Sequence, residues 1–388
     1  MRFPSVKTVH AQICAIFLLA GCGGSKFVAG TAEAGSAGQA AAGGDADRAG
    51  AGGDGTGGRG GATTGGVGAG GAAGASAGNG GSAGKPATTC DCAAGSYCQM
   101  GTTTCRSCTD FSALEFATPE KLATLNQTGN QRFPRPASAA SDLFYRSGSD
   151  GAPALWYAAA PISGVGHQLF SALDAGLDSG PLFAPKFSPG NGNFYFDRAD
   201  QTTLLRQIWS ATWAGGKLSA PLRVPELNGG NDDFSVAIAE VARRVYWMSS
   251  RNKTGSPQLI WAKFGAGATT PAVLDLKVKV GASNQCAALL NVDATPWVNV
   301  DGTLLLFRSL STDDKCNVND GMATDLFAAP LSPAGTPLAP AVPLSSLNNT
   351  GGNSSETDPA LSQDACTIYF GSDNGHPGDF DLYSAVRN

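Results

Sequence analysis

Five short stretches of the chain share one apolar pattern: DLFYRS at 142–147, FYFDRA at 194–199, VYWMSS at 245–250, LLFRSL at 305–310 and IYFGSD at 368–373. With Tyr145, Phe196, Trp247, Phe307 and Phe370 as the register, they recur at intervals of 51, 51, 60 and 63 residues. Each is followed, after a polar break, by a second apolar stretch: ALWYAA at 154–159, QIWSAT at 207–212, LIWAKF at 259–264, DLFAAP at 325–330 and DLYSAV at 381–386. Runs rich in aromatic and β-branched residues between turn residues predict strands, and two in succession predict a hairpin. A third element precedes the pair, as in TPWVNVDGT at 295–303 and DPALSQDACT at 358–367. A fourth follows it, as in LSAPLRVPELNGGN at 218–231 and PLAPAVPLSSLNNTGGN at 337–353. Four short strands repeating at this period predict an all-β propeller. The count is five blades, or six if a degenerate unit occupies the longer intervals; a two-sheet sandwich is the alternative architecture.

The ends of the chain support a ring. FATPEKLATLNQTGN at 116–130 carries the Pro, apolar, Leu-Asn, Gly-Asn order of the fourth strands, yet stands before the first repeat. The last repeat stops at DLYSAVRN, one strand short. An N-terminal strand around Leu122 to Asn126 that completes the last blade would remove a sheet edge. Over 116–388 the pattern resembles the PD40, or TolB-type WD40-like, repeats, whose consensus runs roughly P-x-LS-x-DG, apolar-YF-x-S, DLW-x-A. It departs from them at PASAAS (136–141) and FSPGNG (187–192). The resemblance implies protein partners within the cell envelope.

Upstream of 116 the pattern changes. MRFPSVKTVHAQICAIFLLAGC has a basic start with Arg2 and Lys7 and an apolar run from Ile13 to Ala20, too short for a permanent membrane span and suited to an export signal. LAGC at 19–22 resembles the lipobox of bacterial lipoproteins: Leu19, Ala20 and Gly21 match the recognition positions, and Cys22 the lipidated cysteine. Acyl chains there would supply anchoring without a transmembrane helix, and Gly23 in place of Asp implies an outer-membrane address. Of 53 glycines, 25 lie between Gly23 and Gly84, among Ala, Ser and Thr too small to offset the entropy of ordering. We read this as a flexible tether spanning roughly 40 to 47 Å. It resembles in composition the spacers of myxobacterial lipoproteins. The divisions are a signal at 1–21, a lipidated tether at 22–88, a cysteine-rich segment at 89–109 and the propeller at 110–388.

CDCAAGSYCQMGTTTCRSC at 90–108 holds Cys90, Cys92, Cys98, Cys105 and Cys108. In an exported chain such density predicts disulfides stapling a segment without a core of its own; a zinc site on the Cys105–Cys108 CxxC pair is the alternative. Downstream stand Cys286, Cys316 and Cys366. Five cysteines here and three there are both odd counts, so full oxidation requires at least one bridge between segment and propeller. We expect Cys366 to take that bridge and Cys286 to pair with Cys316.

Chemistry is less legible. A net charge of −5 with no basic run argues against nucleic acid. The glutamates beyond residue 120 are Glu226, Glu240 and Glu356, and Asp197, Asp293, Asp301 and Asp364 lie mostly in turn contexts. TDDKCNVNDG at 312–321 looks like a calcium loop, but with Gly321 as the sixth position Cys316 and Val318 would be ligands, which calcium does not accept. A structural calcium elsewhere stays open. His167 and His376 read as loop residues. Trp156, Trp209, Trp247 and Trp261 occupy repeat positions and read as core, whereas Trp213 lies off the pattern and is the candidate ligand contact. The reading from sequence is a non-enzymatic propeller that binds an envelope protein partner or acts as a scaffold. Its alternatives are recognition of carbohydrate or peptidoglycan, and glycoside hydrolysis.

Overall fold

The structure, a computed structural model, describes residues 92–388 less 100–103 and several loop stretches, the longest of them 172–181. The expected export signal, Leu19, Ala20, Gly21, Cys22, the tether, Cys90 and Asp293 lie outside the described residues.

Five antiparallel sheets follow one another along the chain. Blade I comprises Asn130–Pro136, Leu143–Gly148, Ala154–Ala158 and His167–Ser171. Blade II comprises Leu182–Ser188, Asn193–Ala199 and Arg206–Ala214, whose outer side pairs with both Lys217–Leu218 and Leu222–Arg223. Blade III is Asp233–Ala239, Arg244–Ser249, Gln258–Lys263 and Ala272–Val273; blade IV is Trp297–Val298, Leu304–Leu310, Thr324–Pro330 and Val342–Pro343. Blade V is Glu356–Leu361, Thr367–Ser372 and Asp381–Val386, completed by Glu120–Lys121. The second and third strands of four blades stack aromatic pairs across the sheet: Tyr145 on Trp156, Tyr246 on Trp261, Phe307 on Phe327 and Phe370 on Tyr383, with centroids 5.8–6.4 Å apart. Such cross-strand pairs are the stabilising unit of a sheet; in blades I, IV and V they include the residue that sets the repeat register, whereas blade III uses Tyr246, one position before it.

Between blades, apolar faces meet in five clusters, one at each junction. Phe144, Phe194 and Phe196 join blades I and II; Ile208, Val236 and Trp247 join II and III. Tyr246, Phe307 and Phe327 join III and IV, and Leu306, Leu326 and Phe370 join IV and V. Leu125, Tyr145, Tyr369 and Leu382 close the ring between V and I. The five-bladed count is thus settled, and the long interval before blade IV holds no sixth blade. It holds a two-stranded hairpin, Lys277–Val280 with Asn284–Ala287, whose Val278 and Cys286 are buried against the III–IV junction and whose Cys286 is bridged to Cys316.

The outermost strands are only two residues long in blades III, IV and V. Proline explains this, because Pro119, Pro271, Pro340 and Pro343 stand in or beside them and cannot donate to a ladder. In blades II, IV and V an asparagine adds bonds to the third strand beyond the short outer one. Asn228 accepts from Ile208 N and donates to Ile208 O, both at 2.8 Å. Asn348 does the same with Leu326 at 2.8 and 3.1 Å, and Asn126 with Leu382 at 2.7 and 2.9 Å. The Leu-Asn pair common to the fourth strands therefore acts as a clamp: the leucine is buried and the amide mimics a backbone unit.

The cysteine-rich segment forms a small hairpin, Ser96–Cys98 with Cys105–Ser107, bridged by Cys92–Cys105; Cys98 is also disulfide-bonded. Cys108, fully buried, is bridged to Cys366 in blade V, so the odd counts are resolved by one bond between segment and propeller. Arg387 reinforces the junction by donating to the carbonyls of Asp110 and Ala113 at 2.9 and 2.7 Å. Among the described residues no helix is long and apolar enough to cross a membrane.

Candidate functional site

Four innermost strands share a defect at one place. The pairing with the second strand slips between Arg132 and Arg135, Phe183 and Lys186, Phe234 and Ala237, and Thr357 and Ala360. Within each slip one non-glycine residue takes positive φ: Phe133 at 57°, Ala184 at 43°, Ser235 at 52° and Asp358 at 58°. That conformation is uncommon for such residues, and bulges of this kind re-aim the side chains that follow. Three of the kinked residues precede a proline, in Phe133-Pro134-Arg135, Ala184-Pro185-Lys186 and Asp358-Pro359-Ala360; blade IV places Thr295-Pro296-Trp297 in the same register.

Asp358 ties the kinks together. Its carboxylate pairs with Arg132 at 3.1 Å, accepts from Thr295 Oγ1 at 2.6 Å and from the Phe133 amide at 3.3 Å, joining blades V, I and IV. Burial alone would raise its pKa, but the guanidiniums of Arg132 and Arg308, the Thr295 hydroxyl and Arg135 outweigh it and hold the group below the ordinary Asp value. Thr357 beside it accepts from Arg308 at 2.9 Å and Arg132 at 3.3 Å.

Beyond the kinks the five innermost strands open into a cavity of about 610 Å³. Arg135, Lys186, Ala237, Trp297 and Leu361 contribute to its lining, one from each blade, so it lies at one mouth of the central channel. Phe187 adds a second aromatic ring, and Thr109 and Phe111 approach from the chain just after the Cys108–Cys366 bridge. Two carboxylates border the cavity. Glu240 follows the innermost strand of blade III; one of its oxygens accepts from the Ser188 hydroxyl of blade II, and the other has no hydrogen-bond partner. Asp301 is exposed in the turn after the innermost strand of blade IV. The two turns are laced together by the Val241 amide donating to the Val300 carbonyl at 3.0 Å.

Two cations reach the same cavity. Arg135 and Lys186 are only 2% and 5% exposed, which places both inside the wall. Arg135 Nη1 donates to the carbonyls of Pro134 and Asp358 at 2.6 and 3.0 Å, while Nε and Nη2 have no partner. Burial pushes this guanidinium down to about 10, with Asp358 pulling the other way. Lys186 Nζ donates to the Pro296 carbonyl at 3.0 Å.

The residues singled out from sequence fall mostly elsewhere. Trp213 is half-buried in the I–II cluster, edge-on to Phe144 at 5.2 Å and near Tyr157 at 5.6 Å; its ring is engaged in packing, because the third strand of blade II runs on past the repeat. Trp247 is fully buried and Trp156, Trp209 and Trp261 are half-buried in the blades. His167 lies in the outermost strand of blade I and His376 in an exposed turn. Asp197 accepts from the Ser235 amide at 3.1 Å, Glu356 from Ser354 at 2.7 Å and Asp364 from Ser362 at 2.5 Å, which are structural duties. Glu226 sits in a short 3-10 turn. Among the described residues no group of three His, Cys, Asp or Glu is placed to hold a metal ion. Arg135, Lys186 and Trp297 were not anticipated, although the Pro-x step at the head of blades I, II, IV and V marks their position.

The ring and its mouth define the class: a five-bladed β-propeller with a charged, aromatic-lined axial cavity. No family model and no curated protein matches the chain. Similar solved structures include an α-L-arabinofuranosidase from Podospora anserina in complex with cellotriose, 12% identical over 71% of this chain and 97% of that one, TM-score 0.43. An endo-arabinase from Bacteroides thetaiotaomicron is 10% identical over 70% and 97%, TM-score 0.47; a GH43_1 enzyme from Xanthomonas citri is 12% identical over 69% and 90%, TM-score 0.45. These three are enzymes, and the finding corrects two expectations from sequence: that the propeller is a non-enzymatic protein-binding or scaffold module, and that the protein is not an enzyme. At these identities the likeness is one of fold.

Proposed function

We propose that the propeller is a carbohydrate-active enzyme that binds polysaccharide at the channel mouth and hydrolyses a glycosidic bond there. The observation that carries this reading is the cavity itself, in which Glu240 and Asp301 stand on adjoining turns beside the rings of Trp297 and Phe187. Aromatic faces suit the apolar faces of sugar rings, and glycoside hydrolysis needs two carboxyl groups. One protonates the leaving oxygen while the other activates water or attacks the anomeric carbon. The buried carboxylates of blade V are less suited, because Asp358 and Glu356 are already held by arginine and hydroxyl partners. The lipobox residues and the glycine-rich segment support a further part of the proposal, that the enzyme is tethered through Cys22 to the outer membrane.

The test is release of reducing ends from a panel of neutral and acidic polysaccharides. The wild type is expected to cleave at least one of them, and Glu240→Gln or Asp301→Asn to lower kcat about 10²- to 10⁴-fold with little change in melting temperature. Absence of turnover across the panel, or undiminished turnover in both variants, would overturn the proposal.

A further inference from the structure

Resting on the polysaccharide reading, we infer that the channel mouth selects an acidic sugar, its carboxylate seated on Arg135 and Lys186. These two side chains occupy the same register in neighbouring blades, each the residue after the innermost strand's proline, and both border the cavity. Both are more than nine-tenths buried. Buried charges in proteins are ordinarily paired, since removing a cation from water is costly unless an anion compensates. Among the described residues neither has a carboxylate within ion-pairing distance, and the hydrogen bonds from Arg135 and Lys186 go to backbone carbonyls. Of the acids nearby, Asp358 is held by Arg132 and Thr295 and Glu240 by Ser188 through one oxygen, its other oxygen having no partner, while Asp301 is exposed at the cavity rim. Arg135 keeps two nitrogens, Nε and Nη2, buried and without partners; they form the guanidinium edge that pairs with a carboxylate, and seating one there requires the side chain to turn toward the cavity.

The wall thus carries two cations whose direct partners are backbone carbonyls, with Asp358 acting on Arg135 only at a distance, next to a cavity large enough for a sugar unit and lined by Trp297 and Phe187. A uronic acid residue answers both features, with its carboxylate toward the cations and its ring against an aromatic face. A neutral hexose would leave Arg135 and Lys186 bonded only to backbone carbonyls, and a free inorganic anion would leave the rings unused.

The experiment titrates the full chain with the α-1,4-linked galacturonic acid trimer and with the corresponding galactose trimer, which differs at C6 alone, following tryptophan fluorescence and heat. We expect the acidic trimer to bind at least about tenfold more tightly, and its affinity to fall as NaCl rises from about 50 to about 300 mM. Arg135→Met and Lys186→Met should each reduce the preference to within about threefold, whereas Lys186→Arg should retain it. Equal binding of the two trimers by the wild type, or binding of neither, would overturn the inference; the polysaccharide reading stands or falls separately, on turnover across the polysaccharide panel. Displacement of the acidic trimer by sodium sulfate at equal concentration would show a bare anion site and overturn the sugar assignment. Because the first comparison uses only the wild type, a variant that fails to fold does not blunt it.

Discussion

Asp358 shows how much one side chain carries in a ring of this kind. It has positive φ, its carboxylate is fully buried, and it links three blades through Arg132, Thr295 and the Phe133 amide. Removing one member of a buried pair leaves the other charge uncompensated, so Asp358→Asn is expected to cost about 3–5 kcal/mol at neutral pH. The dependence on pH follows from the lowered pKa of the folded state. A carboxyl depressed on folding contributes its full stability above the unfolded value, near 3.9, and loses it as pH falls through the folded value. Urea unfolding should therefore show the gap between wild type and variant narrowing below about pH 4; a gap that stayed constant down to about pH 2 would assign the cost to packing instead. None of this was visible in the sequence, where the Asp-Pro step read only as the start of a repeat.

At the scale of the element, the closing strand repays comparison with its internal counterparts. Glu120–Lys121 pairs with Ser384 and Tyr383, and Asn126 clamps Leu382 as Asn228 clamps Ile208 and Asn348 clamps Leu326. Replacing Asn126 by alanine removes two hydrogen bonds to a part-buried backbone and is expected to cost about 2 kcal/mol. Asn228→Ala removes the equivalent two bonds and a third, to the Val224 carbonyl, within a blade whose strands are contiguous in sequence. If the clamp at 126 also holds the ring shut, its loss should depress the chemical melting midpoint more than the loss at 228, and equal midpoints would show that closure rests on the apolar V–I junction alone. This element was legible beforehand, because Leu-Asn after a proline-bearing strand is a local pattern that recurs with its register intact. The hairpin at 277–287 was not: its strands have four residues each and are held by a long-range disulfide and burial against two blades.

For the molecule as a whole, the channel mouth exists only because five innermost strands converge on it, each bringing a residue separated from the next by tens of positions. The Cys108–Cys366 bridge, spanning 258 residues, holds Thr109 and Phe111 beside that mouth and binds the cysteine-rich segment to the last blade. On the proposal of a lipid anchor, Cys22→Ser should shift the protein from the membrane to the soluble fraction of fractionated cells, with hydrolytic activity retained; continued membrane association would remove Cys22 as the anchor. Sequence alone dictated the strand repeat, the closing segment and the odd cysteine count, since these depend on local spacing, on alternation of apolar and turn residues, and on arithmetic. Tertiary structure decided the cavity, the carbonyl-bound cations at Arg135 and Lys186, and the packing of Trp213, because each depends on which distant side chains share one enclosed space.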